Sequence, residues 1–234
     1  GLVGSEMCIR DREKIIHIRL VADKAQGSVL IVIITWKLPV RVITFFLSKI
    51  HPVIRTQHSH HASIIAVDRR TDFYQRVRLW RDLEKAAITA VSQGTVQETH
   101  GLLFSYAGGM LFITLPSGRR LAYAQPKIGC SKFGGKCITY MGLNTAKKWD
   151  RLETFSGKIA ENVTQAIARD LLFYSMQTLS HCFMVATVHD EIIIEADKRM
   201  SVDAVCEQMS RVPSWAKGLI LKADGYECDF YQKN

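Results

Sequence analysis

Residues 183 to 196 read Phe-Met-Val-Ala-Thr-Val-His-Asp-Glu-Ile-Ile-Ile-Glu-Ala, two apolar runs around a polar triplet. Continuous apolar runs of this length suit strands buried on both faces. In one unbroken strand Asp190 would lie inside the sheet, where an unpaired carboxylate costs several kcal/mol. Folding back at His189-Asp190 instead pairs Met184 to Val188 with Ile192 to Ala196 and puts the carboxylate at the bend. His-Asp is a poor substitute for the Asn-Gly or Asp-Gly of tight hairpins. A broken local rule between two well-formed strands marks a place to look for function. An exposed Asp on a rigid turn can hold Mg²⁺, which keeps waters and takes one or two carboxylates plus substrate phosphates. A two-metal centre needs a second carboxylate, for which Glu191 is a weak candidate. From these residues alone, a surface hairpin with solvated charges is an equal alternative.

Val188-His-Asp-Glu191 between two hydrophobic strands resembles motif C of the family A DNA polymerases, the palm hairpin whose Asp binds catalytic metal. Upstream, Tyr140-Met-Gly-Leu-Asn144, Trp149-Asp-Arg-Leu-Glu-Thr154 and Gly157-Lys-Ile-Ala-Glu-Asn-Val-Thr-Gln-Ala-Ile-Ala-Arg-Asp-Leu-Leu172 are similar to the phage-type members of that family. So is the ending, Leu221-Lys-Ala-Asp-Gly-Tyr-Glu227. The resemblance covers residues 71–234. Single-subunit RNA polymerases share the His-Asp, but Glu191 and the helix carrying Gln165 are closer to the DNA enzymes.

This resemblance implies a C-terminal palm and part of the fingers: an α/β assembly of the α+β kind, with an antiparallel palm-like sheet backed by amphipathic helices. It implies nucleotidyl transfer from a dNTP to a primer 3′-hydroxyl on primer-template DNA with two Mg²⁺ ions, in the cytoplasm of a bacterial or phage-infected cell. Asp190 would be a metal ligand, Glu191 an auxiliary carboxylate and His189 a contact near the primer terminus. Two family elements are not identifiable. Ser63-Ile-Ile-Ala-Val-Asp68 has the strand-then-Asp form of motif A but lacks the Tyr-Ser that follows it, and no Lys precedes a Tyr-Gly at the spacing of motif B. The chain alone is therefore expected to lack synthesis. Two rival classes remain: a non-catalytic DNA-binding module, and a metal-dependent nuclease or phosphoesterase using Asp190 and Glu191.

The second organising element starts at Ser156. Ile159, Val163, Ile167, Leu171 and Tyr174 form one apolar stripe of a helix, and Lys158, Asn162, Gln165 and Arg169 fall together on another face. Amides between two cations offer hydrogen bonds to bases and charge to phosphates. By the resemblance, Gln165 reads the minor groove of the primer-template. A solvated helix face is the alternative. Arg119 and Arg120, after the turn Pro116-Ser-Gly118, are candidate phosphate contacts, with solvated loop arginines the alternative.

The remaining chain is read in order. Residues 1–12 are similar to translated sequencing-adapter sequence and are set aside. Residues 13–70 match nothing in the family, as a frame-shifted translation or an unusual insertion would. Within them Val29 to Trp36 reads as a buried strand. Ser28 to Leu47 is too interrupted by Lys37, Pro39 and Arg41 to span a membrane. From Asp72, Phe73, Val77, Trp80, Leu83, Ala87 and Val91 give a helix ending before Gly94. Strands are expected at Gly101 to Tyr106, Met110 to Leu115, Arg120 to Ala124, Leu219 to Ala223 and Tyr226 to Tyr231. Ser201 would cap a helix from Val202 to Arg211.

The net charge of +9 over 234 residues suits a polyanionic partner, but weakly. Most of the excess lies before residue 71. Six scattered cysteines without a Cys-x-x-Cys pair fit free thiols in a reducing compartment. Cys130 with Cys137, and His58 with His60 and His61, lack the further ligands a metal site needs.

Overall fold

The computed structural model describes residues 29–36, 69–131, 134–197, 199–228 and 231. Residues 1–12, the His58 to His61 cluster and Ser63 to Asp68 lie outside them. The described chain is of the α+β kind, with two antiparallel sheets and three α-helices, and divides into two compact units. One holds the described residues of 69–171 and 212–220, the other those of 29–36, 172–211 and 221–231.

The first unit is built on α1 (Arg69–Gln93) and a six-stranded sheet whose strands follow chain order: β2 (Gln97–Thr99), β3 (Leu102–Ala107), β4 (Met110–Thr114), β5 (Arg120–Cys130), β6 (Lys136–Leu143) and β7 (Trp149–Thr154). Adjacent strands joined by short turns need no crossover. Gly108 and Gly109 make the β3–β4 turn, both at positive φ, as a two-residue hairpin loop requires. Alternate residues Leu102 and Phe104, Leu111 and Ile113, Tyr123, and Ile138 are buried on one face, against which α1 packs. The buried stripe of α1 is Leu79, Leu83, Ala86, Ala87 and Ala90. Trp80, expected in that stripe, is 38% exposed, because Leu79 takes the core-facing position one residue earlier.

Helix α2 (Ser156–Thr178) buries Ile159, Val163, Ile167 and Leu171 of the expected stripe, while Tyr174, its fifth member, is half-buried. Its first backbone N–H, on Ser156, donates to Glu84 of α1 at 3.1 Å, which satisfies one orphan donor of the helix start. Further along, buried Asp170 accepts from Ser117 Oγ with one oxygen and from Arg119 Nε with the other, while the Arg119 Nη2 donates to the Ala166 carbonyl at 2.7 Å. The β4–β5 turn is thereby tied to α2.

In the second unit β8 (Phe183–Val188), β9 (Glu191–Asp197), β1 (Val29–Trp36) and β10 (Ala223–Cys228) form one antiparallel sheet in the order β10-β1-β9-β8. The run read as a strand at 29–36 thus lies between two partners, with Ile31 opposite both Glu195 and Cys228. Helix α3 (Val202–Met209) is capped by Ser201, whose side chain accepts from the Ala204 N–H. It ends two residues earlier than the sequence suggests. Residues 219–222, expected as a strand, are not one: Ser214–Ala216 forms a 3-10 turn, Gly218 takes φ 92°, and pairing with β1 begins only at Ala223, opposite the last residue of that strand, Trp36.

The Asp170 cluster yields a test of asymmetry. Arg119→Ala leaves a buried carboxylate with one hydroxyl and is expected to cost roughly 3 kcal/mol. Asp170→Ala releases a half-exposed guanidinium to water and should cost roughly 1–2 kcal/mol. Urea unfolding of the two variants measures the difference; equal costs would contradict the burial argument.

Candidate functional site

The chain reverses at His189-Asp190, with Val188 opposite Glu191. This is the bend expected from the apolar runs. His189 stands at φ 55°, in the left-handed region that non-glycine residues adopt at a cost of roughly 1–2 kcal/mol. Asp190 is exposed at the tip, whereas Ile192, Ile193 and Ile194 are buried. The geometry therefore keeps the carboxylate out of the sheet interior and fixes it on a two-residue loop.

Glu191 is half-buried, and Tyr231 Oη donates to its Oε2 at 3.1 Å. Burial, then the adjacent Glu191 charge, pushes the Tyr231 phenol up, so it stays a neutral donor. Tyr231 was missed by sequence reasoning, and nothing local could have found it, since it lies 40 residues downstream of Glu191. As a donor set for Mg²⁺, the tip offers one exposed carboxylate and a second already holding a hydroxyl. That suits one hard cation shared with substrate phosphates. Among the described residues no third acidic, His or Cys side chain joins these two.

On α2 the four spaced residues divide in their roles. Gln165 is exposed, and its Nε2 donates to Glu161 Oε1 at 3.3 Å. Lys158 Nζ lies 3.5 Å from Glu161 Oε2. Arg169 is half-buried. Asn162 Nδ2 donates to Tyr123 Oη at 3.0 Å, so this amide is spent inside the unit. Glu161, overlooked in the sequence, sits within the cationic face and bridges Lys158 and Gln165; a half-exposed helix pair of this kind is worth only about 0.3–0.5 kcal/mol, so Lys158 can leave it for a phosphate.

Arg119 and Arg120 are not free tips of a loop. The first is held by Asp170, and the second lies 4.7 Å above the Phe112 ring centre, a cation–π contact. Among the described residues Cys130, Cys137, Cys182, Cys206 and Cys228 form no disulfide, and burial pushes the Cys137, Cys182 and Cys206 thiols up. Among the described residues no helix is long and apolar enough to cross a membrane.

Two measurements check this geometry. His189→Gly removes the penalty for a left-handed backbone and is expected to stabilise the protein by about 1 kcal/mol in urea unfolding; a loss of stability would show that the imidazole is needed to hold the turn. Tyr123 is pushed up from 10.0 to about 12 by burial and by Tyr140, against the lowering effect of the Asn162 hydrogen bond. The folded state holds this proton more tightly than the unfolded chain, so the contribution is complete below pH 10 and falls as pH rises to about 12. Tyr123→Phe should flatten the alkaline loss of stability by about 1.4 kcal/mol per pH unit in that window.

No protein-family model matches the chain, and no solved structure matches it. Over 170 residues, 70% of its length, the chain is 44% identical to the DNA polymerase of Bacillus phage SP02. Those residues cover 26% of that relative, so the chain spans about a quarter of the length of the curated protein that it resembles.

Proposed function

We propose that residues 71–234 are the catalytic-hairpin region of a phage-type family A DNA polymerase, and that the whole protein extends a primer on a DNA template. The observation that carries this reading is the exposed Asp190 on a two-residue turn with His189 at positive φ, in a chain 44% identical over 170 residues to a phage DNA polymerase. The reaction joins the primer 3′ oxygen to the α-phosphorus of a deoxynucleoside triphosphate and releases pyrophosphate.

In this reading Asp190 and, more weakly, Glu191 are the groups that would hold Mg²⁺. A bound Mg²⁺ supplies charge neutralisation at the phosphate oxygens and orientation of the reacting groups. Tyr231 keeps the Glu191 carboxylate in place by its hydrogen bond. His189 stands next to the primer terminus. The Gln165 amide addresses minor-groove acceptors, which A·T and G·C pairs present in equivalent places, so it senses pair geometry without reading sequence. Lys158 and Arg169 neutralise backbone phosphates. Asn162 holds Tyr123 and so shapes that face from behind. Arg119 and Arg120 contribute charge at the β4–β5 turn while anchored to Asp170 and Phe112.

The reading separates the parent from this chain. In a polymerase containing these residues, Asp190→Ala is expected to reduce primer extension on the order of a thousandfold, matching the several kcal/mol that a metal contributes. Primer-template binding without Mg²⁺ should change less than about twofold, since Asp190 contributes no attraction to phosphates. Residues 1–234 alone should bind primer-template but not extend it, because neither the motif A carboxylate nor the motif B helix of the family is identifiable in the sequence. Undiminished extension by the Asp190→Ala parent, or cleavage of DNA by the chain without nucleotides, would overturn the assignment.

A further inference from the structure

The β6–β7 hairpin carries sequence that the polymerase reading leaves without a task. Leu143 lies opposite Trp149, and both are solvent-exposed, at 47% and 58%. Along β7 the alternation puts Arg151 on the same face, opposite Met141, with Ala124 of β5 beyond it. Asp150, paired with Gly142, points the other way. Among the described residues strand β7 is the edge of its sheet.

The loop joining β6 and β7 is held in one shape. Asn144 Oδ1 accepts from the N–H groups of Ala146 at 2.9 Å and Lys148 at 3.0 Å, and the Asn144 N–H donates to the Lys148 carbonyl at 2.9 Å. Lys147 takes φ 57° within that frame. Both lysines are exposed. Arg151 Nη1 donates to the Gln125 carbonyl at 3.1 Å, at a bulge in β5, and so fixes the strand beside Trp149. The Asp150 carboxylate accepts from the Arg151 N–H at 2.7 Å with one oxygen and from Asn144 Nδ2 at 3.4 Å with the other, on the sheet face opposite Trp149 and Arg151.

The geometry points to a binding site for single-stranded DNA on this hairpin: Trp149 stacks an unpaired base, and Lys147, Lys148 and Arg151 meet the flanking phosphates. An exposed indole among three cations has the two parts of such a site, a stacking platform and a charged track. Within the hairpin the exposed large apolar side chains are Leu143 and Trp149, with Met141 half-buried beside them, too little for a stable protein interface, which needs roughly 800 Å² on each partner. A preformed loop loses little conformational entropy on binding. A duplex offers no unpaired base to the indole. That the strand is DNA rests on the polymerase reading; the stacking and charge argument does not.

The test uses residues 1–234 and fluorescence anisotropy of a labelled oligo-dT strand, with a duplex of equal length and an oligo-rU strand in parallel. Trp149→Ala is expected to weaken oligo-dT binding roughly five- to a hundredfold and the duplex by less than about twofold. Trp149→Phe, which keeps a ring, should restore most of the affinity. Lys147→Ala with Lys148→Ala should lower the salt slope by about 1.4, at about 0.7 per phosphate on single strands. Trp149→Ala binding oligo-dT like the wild type, or losing single strand and duplex equally, overturns the site. Tighter binding of oligo-rU than of oligo-dT overturns its assignment to DNA. Should the Asp190→Ala parent extend primers normally while Trp149→Ala shows the expected loss, the polymerase reading fails and the hairpin site stands.

Discussion

Ile192, Ile193 and Ile194 are buried in succession, so the strand that carries them needs cover on both faces and a partner on each edge. Burial of each side chain contributes roughly 1.5–3 kcal/mol. Strand β8 supplies one edge through the two-residue turn and β1 supplies the other. Once β9 is fixed in this way, the turn cannot move. Val188 pairs with Glu191, and only His189 and Asp190 remain to reverse the chain. The exposed position of Asp190 is thus a consequence of the three isoleucines. A slip in register would draw the carboxylate toward an apolar interior at a cost of several kcal/mol.

The same constraint explains the local strain. Glycine or asparagine would relax a turn with its first residue in the left-handed region. Histidine at φ 55° is tolerated because the flanking ladder over-determines the bend. Strain held by well-packed neighbours is how a fold presents a side chain in one place. The Asn144 loop reaches a similar end by another route, with the side chain standing in for missing backbone partners around Lys147 and Lys148.

What was legible in the sequence follows the range of each interaction. The β3–β4 turn, the α2 stripe and the His189-Asp190 bend are written in residues a few positions apart, where periodicity and turn chemistry suffice. Val29 to Trp36 was legible as a strand but not as the strand between β9 and β10, since its partners lie about 160 and 195 residues away in a different part of the chain. The residues that finish the candidate site were hidden for the same reason: Tyr231 on Glu191, Tyr123 on Asn162 and Asp170 on Arg119 are separated by 40, 39 and 51 positions. A helical wheel shows that Asn162 shares a face with Gln165. It does not show that a tyrosine from the sheet has already claimed the amide. Residues 219–222 failed as a strand because alternation of Leu219, Ile220 and Leu221 describes burial, while a strand also needs a neighbour to bond to.

The proposed function requires that Asp190 at the turn tip, aided by Glu191, offer a divalent cation its foothold. Mn²⁺ can replace Mg²⁺ as a paramagnetic probe, and weak binding broadens the amide resonances nearest the ion. Titration of the chain with Mn²⁺ should broaden His189, Asp190 and Glu191 first, and Asp190→Asn should abolish that selectivity. Broadening centred elsewhere, or spread evenly over the surface and unchanged by Asp190→Asn, would contradict the account.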